Sequence, residues 1–404
     1  MIVNKAYCYE LEPTAGQLQK FWQHVGTARF AYNWGLARRI EEYETTGKSS
    51  TAITQHRQLN ALKDTDFPWM YEVSKCAPQE ALRDLDRAYE NFFRRVKQGR
   101  KPGFPKFKRK GVSRDSCRFT GAIKVGHRKI QIPRLGKIRT KEKTDAFAGK
   151  ILSATLGRDA DRWFASLAVE VEIPDPKPVD GPTVGIDLGI SCFAVCSDGT
   201  RIESPMPLQR SLSLLERRQR RHVRKERGSS NRRRSAVGLA RLHRRIRTAR
   251  SDFLHKASTM LAKTKSAIVV EDLSVRNMMR NHSLARRIAD SGWSEFRRQL
   301  AYKTKWYGSE LIVADKFYPS SKRCSRCGHV KAELSLAERT YTCSACGFEI
   351  DRDLNAARNL EQLTTRSSRE SHACGDGVRP KRKPRPKRRQ SSKKQESAVS
   401  VCNG

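Results

Sequence analysis

The sequence predicts a multidomain protein of mixed α/β class with a separate β module and a helical region, and three observations support this. Residues 1 to about 115 place apolar side chains at helical spacing after a short opening strand. Residues 117–175 form short alternating segments that are typical of antiparallel strands. From Thr183 the chain follows a strand–strand–helix–strand–helix order. A chain of 404 residues can form two or three domains of about 150 residues each.

The charge of the chain points to a polyanionic partner. Its 82 Lys and Arg residues against 42 Asp and Glu residues give a net charge of +40, and such a protein repels itself unless an anion binds. Nucleic acid is the first candidate and an anionic membrane the second. No apolar run approaches the ~20 residues that span a bilayer, and no signal-peptide pattern opens the chain. We therefore expect a cytoplasmic protein with no membrane partner.

The strongest basic segments predict nucleic-acid contacts. Residues 210–250 hold sixteen Lys or Arg against two Glu and read as a helical hairpin broken at Gly228, although a solvated charged face is the simpler alternative. At the start of the helix predicted from about 78 to 96, Lys75 and Gln79 lie one turn apart and could reach base edges together, although an ordinary solvated face is the simpler alternative. The candidate contacts are Lys75, Gln79, Arg94, Arg95, Lys106, Lys108, Arg109, Arg220, Arg221, Arg224, Arg244 and Arg245.

Three acidic residues occupy positions where burial is expected. Asp187 lies within the apolar run Val-Gly-Ile-Asp-Leu, Glu271 closes Ala-Ile-Val-Val, and Asp353 begins a helix predicted over 351–362. A buried carboxylate costs several kcal/mol unless it is paired or bound to metal. Three of them at one end of a sheet would hold Mg²⁺ or Mn²⁺ and support phosphodiester hydrolysis.

Each of these acidic residues also has an ordinary structural interpretation. Glu271 could form a turn and Asp353 could cap its helix, whereas Asp is a poor residue inside a strand, so Asp187 is harder to explain in this way. The neighbours Asp272 and Asp351 could be mistaken for the ligands. We prefer Asp353, because the helix start Asp-x-Asn-Ala-Ala follows it directly.

Four of the eleven cysteines form two Cys-x-x-Cys pairs separated by fifteen residues. This spacing is typical of closed, four-thiolate sites that bind one structural Zn²⁺. Gly328 and Gly347 follow the pairs and allow backbone amides to turn toward the sulfurs. The predicted ligands are Cys324, Cys327, Cys343 and Cys346.

The motifs around these residues resemble the TnpB (OrfB) family encoded by bacterial insertion sequences. They are Val-Gly-Ile-Asp187-Leu-Gly-Ile, Val-Glu271-Asp-Leu, the paired Cys-x-x-Cys-Gly knuckles and Asp351-Arg-Asp353-Leu-Asn-Ala-Ala-Arg-Asn. The resemblance covers roughly residues 1–362 and implies a bilobed protein with a RuvC-like nuclease domain of the RNase H fold.

The resemblance also implies how the domains divide. We expect a wedge β-barrel, a helical recognition insertion, the RuvC-like domain, an inserted zinc-binding, target nucleic-acid-binding module and a basic, disordered tail. The expected bounds are 1–8 with 116–177 for the wedge, 9–115 for recognition, 178–320 with 349–364 for the nuclease, 321–348 for the zinc module and 365–404 for the tail.

The function implied by the resemblance is RNA-guided DNA cleavage. The expected partners are a guide RNA from the transposon end and double-stranded target DNA beside a short motif, bound by a monomeric protein that associates with the bacterial nucleoid. By the same resemblance, Asp187, Glu271 and Asp353 are the metal ligands.

Other functions fit parts of the sequence. A transposase or a transposition-regulating DNA-binding protein is the main alternative, since strand transfer also uses three carboxylates, and an RNA-guided repressor or a nonspecific RNA-binding protein would not need them.

Overall fold

The computed structural model describes residues 1–335 and 338–370, and its first half contains one antiparallel sheet. Seven strands pair in the order β2-β6-β7-β1-β5-β4-β3. The opening strand lies between β5 and β7 and continues beyond the expected boundary at residue 8, because Tyr9 and Leu11 still point into the core. The strands are β1 (Ile2–Glu12), β2 (Ser116–Phe119), β3 (Lys124–Gly126), β4 (Lys129–Ile132), β5 (Gly136–Thr140), β6 (Lys150–Asp159) and β7 (Arg162–Glu172).

Helices inserted between β1 and β2 cover this sheet. The first starts after Thr14, whose side chain and that of Gln17 form a capping box, and it continues unbroken for 32 residues to Gly47 in the left-handed conformation. The rings of Phe21 and Trp163 join the helices to the sheet at a centroid distance of 5.1 Å. The elements are α1 (Ala15–Thr46), α2 (Ala52–Ala61), a 3₁₀ helix (Pro68–Glu72) and α3 (Cys76–Lys97).

A second, five-stranded sheet begins at Val184. Its order is β10-β9-β8-β11-β12, in which β8, β11 and β12 run parallel while β9 and β10 run antiparallel to their neighbours. The strands are β8 (Val184–Asp187), β9 (Ala194–Cys196), β10 (Arg201–Ile202), β11 (Ala267–Glu271) and β12 (Glu310–Ala314).

Helices pack on both faces of this second sheet. In β11, Ile268 and Val270 point into a core with α5 and α8, whereas Val269 packs against Leu360 of α9 on the other face. A strand buried on both sides explains its continuous apolar sequence. The helices are α4 (Pro207–Val223), α5 (Ser230–Thr264), α6 (Val275–Met278), α7 (Ala285–Ser291), α8 (Trp293–Tyr307) and α9 (Arg352–Glu370).

A small hairpin lies between β12 and α9. Its strands β13 (Thr340–Thr342) and β14 (Glu349–Asp351) pair antiparallel, and Tyr341 is fully buried among the cysteines. This segment carries the two cysteine pairs, so the cysteine module is inserted into the second sheet unit just before its last helix.

Helix α9 is longer than the sequence predicts. It was expected to end at residue 362, where the sequence becomes more polar, but it continues to Glu370. No Gly or Pro that would end a helix occurs before Gly375. The rest of the expected basic tail, including residues 379–394, lies outside the described residues.

The longest helices of the described ranges are α5 with 35 residues and α1 with 32. Neither these nor any other helix within residues 1–335 and 338–370 is both long enough and apolar enough to cross a membrane.

The contact between β8 and α9 depends on Gly185. A Cβ built there would lie 2.0 Å from the carbonyl oxygen of Ala357 and 2.5 Å from the amide nitrogen of Glu361, both of which are backbone atoms that cannot rotate away.

We predict that Gly185→Ala lowers the free energy of unfolding by roughly 1–3 kcal/mol or more, measured by thermal or urea melting. The matched control is Gly238→Ala in α5, where the new Cβ meets nothing within 4 Å; the control should be neutral or gain ~0.5–1 kcal/mol. Equal stability of the Gly185→Ala and wild-type proteins would contradict this packing.

Candidate metal centre and nucleic-acid interface

Three carboxylates line one cleft of about 560 Å³ at the edge of the second sheet. Asp187 ends β8 and Glu271 ends β11, and since these strands are parallel, with Ile186 opposite Val270, both carboxylates reach the same edge. Asp353 lies in the first turn of α9, which packs on β8. The fold therefore brings together residues that are 84 and 82 positions apart in the sequence.

The environment of this cleft opposes negative charge at Asp187. Burial, followed by the nearby charges of Glu271 and Asp353, raises the pKa of Asp187 to about 8. Glu271 accepts a hydrogen bond from the Ser320 hydroxyl, and Arg352 lies 3.3 Å from a carboxylate oxygen of Asp353. Three carboxylates around one cleft suit a hard divalent cation such as Mg²⁺ or Mn²⁺, whose charge would favour the ionised form of Asp187.

The two neighbouring acids have other structural roles. Asp351 caps α9, because its Oδ1 accepts hydrogen bonds from the backbone N–H groups of Asp353 (3.1 Å) and Leu354 (3.0 Å), and it also pairs with Arg201 at 3.1 Å. Asp272 pairs with Arg297 and is absent from the residues that line the cleft. The helix cap that sequence reasoning allowed for Asp353 therefore belongs to Asp351.

The four cysteines of the inserted module converge. The Sγ atoms of Cys324 and Cys346 are 3.8 Å apart, and those of Cys327 and Cys343 are 3.6 Å apart. Sulfurs bound tetrahedrally at about 2.3 Å from zinc lie at roughly this separation. In the described part of the chain, only this group brings three or more metal-binding side-chain atoms within 4.8 Å of one another, so the carboxylates are spread more widely around their cleft.

The two cysteine pairs have matching backbone geometry. In each, the glycine after the second cysteine has positive φ, 80° at Gly328 and 68° at Gly347, and its N–H donates to the carbonyl of the first cysteine. At Cys343, burial opposes ionisation, but the backbone N–H groups of Cys346 and Ala345 prevail and lower its pKa to about 6. A cation held by all four thiolates fits this donor set, and the closed arrangement is typical of a structural zinc site.

Most of the predicted basic contacts in the first half are exposed. Lys75 stands just before α3, and its carbonyl accepts the backbone N–H of Gln79, so the two side chains lie one turn apart. Gln79 and Lys108 are half-buried, and the exposed residues are Lys75, Arg94, Arg95, Lys106 and Arg109.

Lys108, which the sequence predicts to contact nucleic acid, makes contacts within the protein. Its ammonium lies 3.9 Å from the centroid of the Tyr32 ring, and Asn33 holds its backbone with two hydrogen bonds of 2.7 and 2.9 Å. Burial lowers the pKa of this lysine. Lys108 thus packs the basic loop against α1.

In the hairpin of α4 and α5, Arg220, Arg221, Arg224 and Arg245 are exposed, but Arg244 is not. Its guanidinium donates to the carbonyl of Asp159 at 2.8 Å and lies 3.5 Å from the carboxylate of Asp161. Together with Arg241 and Arg247, which bind the same two acids, it attaches α5 to the turn between β6 and β7. Arg244 is therefore engaged within the protein in this structure, and the sequence alone did not show which side of the helix is packed.

Sequence reasoning missed Ser320, which contacts Glu271, and Arg352, which faces Asp353. The position of Arg352 between two acids in Asp-Arg-Asp was a usable signal. Nothing in the sequence around Ser320 distinguishes it from its neighbour Ser321.

Three family models match the chain. They are described as "Probable transposase" (OrfB, residues 166–282), "Cas12f1-like, TNB domain" (residues 293–360) and "Helix-turn-helix domain" (residues 1–48). Residues 1–48 here contain one strand and one long helix, so the last description does not correspond to the observed structure.

Similar proteins cover nearly the whole chain. A protein of Streptomyces pristinaespiralis named "Putative RNA-guided DNA endonuclease" is 37% identical over 94% of this chain and 93% of its own length. An Escherichia coli K12 protein named "Putative RNA-guided DNA endonuclease InsQ" is 32% identical over 88% of this chain and 91% of its own. A solved mini-RNA-guided endonuclease, CRISPR-Cas phi3, has a TM-score of 0.44 at 9% identity and covers 90% of this chain and 92% of that one.

The cysteine module allows a direct test by metal content. We predict that Cys327→Ser reduces bound zinc from one ion per chain to well below one, because an exposed thiolate of the four-sulfur set is lost. Zinc is measured by atomic emission on the purified protein. The matched control is Cys8→Ser, which changes an exposed cysteine outside the module and should leave zinc unchanged. Full zinc occupancy in Cys327→Ser would remove that residue from the ligand set.

Proposed function

The chain belongs to the TnpB (OrfB) family, and we propose that it is an RNA-guided DNA endonuclease that hydrolyses phosphodiester bonds at Asp187, Glu271 and Asp353. The observation that carries this proposal is the single cleft onto which β8, β11 and α9 each present one carboxylate. Carboxylates contributed by separate elements to one cleft, with one pKa strongly raised, are characteristic of functional sites.

We propose that the second sheet unit is a RuvC-like domain of the RNase H fold. Support comes from its strand order, with two antiparallel strands followed by two parallel ones on the other side of β8. The cysteine hairpin inserted before α9 is proposed as a zinc-ribbon-like module, and the seven-stranded sheet of the first half as the wedge barrel with its helical recognition insertion.

The chemistry of the proposed site follows from its donors. Asp187, Glu271 and Asp353 would hold Mg²⁺ or Mn²⁺, which would supply water activation and charge stabilisation at the leaving oxygen. The chain itself contributes the position of each ligand, with Asp187 and Glu271 fixed by neighbouring strands and Asp353 by the first turn of α9. Lys322 and Arg339 also line the cleft and are placed to attract and orient the phosphates of a DNA strand.

We propose that the partners are a transposon-end guide RNA and double-stranded target DNA. The net charge of +40 and the exposed arginines of α4 support a phosphate-binding role, and binding of this kind weakens steeply with salt. One carboxylate cleft per chain suits a monomer in the complex, acting in the cytoplasm at the nucleoid. A transposase activity, the main alternative, would need strand transfer, for which the described cleft offers no separate support.

The first experiment tests cleavage with a matched pair of variants. We predict that Asp187→Ala abolishes Mg²⁺-dependent cleavage of a matching DNA target but retains the copurifying guide RNA, because the change removes a metal ligand and leaves the basic surfaces intact. The control, Asp272→Ala, removes an exposed carboxylate beside Glu271 that does not line the cleft and should retain cleavage.

RNA is sequenced from protein expressed with its native flanking DNA, and cleavage is followed on the sequence that the RNA specifies. Cutting by Asp187→Ala would contradict the proposed site. Heterogeneous RNA with no guided cutting by wild type would contradict the function itself.

The roles of the two aspartates around Arg352 can be separated. We predict that Asp353→Ala abolishes cleavage at unchanged stability, whereas Asp351→Ala loses ~1 kcal/mol of stability with its helix cap and retains cleavage. Thermal melting and the cleavage assay together distinguish them. The reverse pattern would assign the metal to Asp351.

A further inference from the structure

Ser320 connects the proposed nuclease centre to the segment that leads into the cysteine module. It is 5% exposed and lies between β12 and Cys324. Its hydroxyl donates to Oε1 of Glu271, 49 residues earlier in the chain. A ligating carboxylate has several orientations available, and a hydrogen bond to one oxygen restricts them.

The backbone of this segment is held in turn by two asparagines of α9, both with 0% exposure. The Nδ2 of Asn359 donates to the carbonyls of Ser320 (2.8 Å) and Arg323 (2.6 Å). The Nδ2 of Asn355 donates to the same Arg323 carbonyl (2.6 Å), and its Oδ1 accepts the backbone N–H of Ser325 (2.9 Å).

These hydrogen bonds hold the residues immediately before and after Cys324, the first cysteine of the module. Cys324 lies between Arg323 and Ser325 in the sequence, so its backbone is fixed to the helix that also carries Asp353. Buried amides bonded at such distances are costly to break, since each broken bond leaves a buried polar group unpaired. The segment from 320 to 325 is therefore attached to the first half of α9 by four hydrogen bonds.

We propose that Ser320 is a positioning residue for Glu271, and that Asn355 and Asn359 of α9, together with the four-cysteine module that begins at Cys324, fix it there. The inference rests on the proposed metal centre and adds a role for the module: it orders a ligand of the nuclease site. The same structural unit then positions two of the proposed metal ligands. Asp353 belongs to α9 itself, and Glu271 is held through Ser320.

The direct test measures metal binding rather than cleavage. The full-length protein, freed of nucleic acid in high salt, is titrated with Mn²⁺ and the free ion is followed by electron paramagnetic resonance. We expect Ser320→Ala to raise the dissociation constant about tenfold, as loss of a hydrogen bond to a metal ligand typically does, and Ser320→Thr, which keeps the hydroxyl, to restore most of the affinity. The Mg²⁺ concentration for half-maximal cleavage by the RNA complex should shift in parallel.

Ser309→Ala is the matched control. The Ser309 hydroxyl is buried without a hydrogen-bond partner among the described residues, at the opposite edge of the same sheet, so its loss should leave Mn²⁺ affinity unchanged. Thermal melting of each variant confirms that the fold is retained.

A double-mutant comparison shows whether Ser320 acts through Glu271. In a Glu271→Gln background, Ser320→Ala should produce no further loss of Mn²⁺ affinity. A further tenfold loss would mean that Ser320 contacts the ion itself and would overturn the positioning role.

Asp187→Ala separates this inference from the proposed function. If Asp187→Ala abolishes specific Mn²⁺ binding while Ser320→Ala binds like wild type, the inference fails and the metal centre stands. If Asp187→Ala binds Mn²⁺ like wild type, the proposed centre fails and the inference fails with it.

The role of the cysteine module is tested by removing its zinc with a chelator. Zinc-free wild type should bind Mn²⁺ as weakly as zinc-free Ser320→Ala, because the link is already lost in both. Retention of full Mn²⁺ affinity by zinc-free wild type would overturn the proposed coupling.

Discussion

Burial of the Asp187 carboxylate beside Glu271 and Asp353 is the constraint on which the second sheet unit depends. Burial and these neighbours raise the pKa of Asp187 to about 8 from its ordinary value of 3.8. Without a cation, the folded protein therefore keeps a proton that the unfolded chain releases, and stability falls as the pH rises from about 4 to 8. Packing elsewhere in the fold has to offset this loss of folding free energy, and a bound divalent cation would reduce it.

The helices on both faces of the second sheet contribute this stabilising packing. Ile268 and Val270 are buried against α5 and α8, and Val269 against α9, so the strand that ends in Glu271 is fixed from both sides. Gly185 allows α9 to approach β8 at backbone contact distance, which places the start of that helix beside Asp187. Rigid elements of this kind hold ligands more closely than loops can.

Local pattern was enough to predict many elements and the members of both candidate centres. The two Cys-x-x-Cys pairs were found from their spacing alone, and their sulfurs converge in the structure. Asp187 and Glu271 could be singled out because charge is unexpected beside apolar strand residues. Short α2 was missed, since ten largely polar residues carry little periodicity.

Contacts between residues that are distant in the sequence could not be predicted. Lys108 and Arg244 were assigned to nucleic acid on charge, but Tyr32 and the turn at Asp159 bind them within the protein. The choice between Asp351 and Asp353 was made on a motif, whereas their different roles are evident only from the hydrogen bonds at the start of α9. Ser320 could not be found at all, because its partner is distant in the sequence.

The place of β1 in the first sheet has a consequence for the order in which the protein is made. The strand opens the chain, yet it pairs along its length with β7, from Ile2 opposite Glu172 to Leu11 opposite Trp163. During synthesis at about 5–20 residues per second, its partner emerges roughly ten to thirty seconds later. Through that interval β1 has an open edge, while helices α1 to α3, which lie between, can already pack on one another. The order of the elements therefore allows the inserted helices to pack before the sheet that carries them is complete.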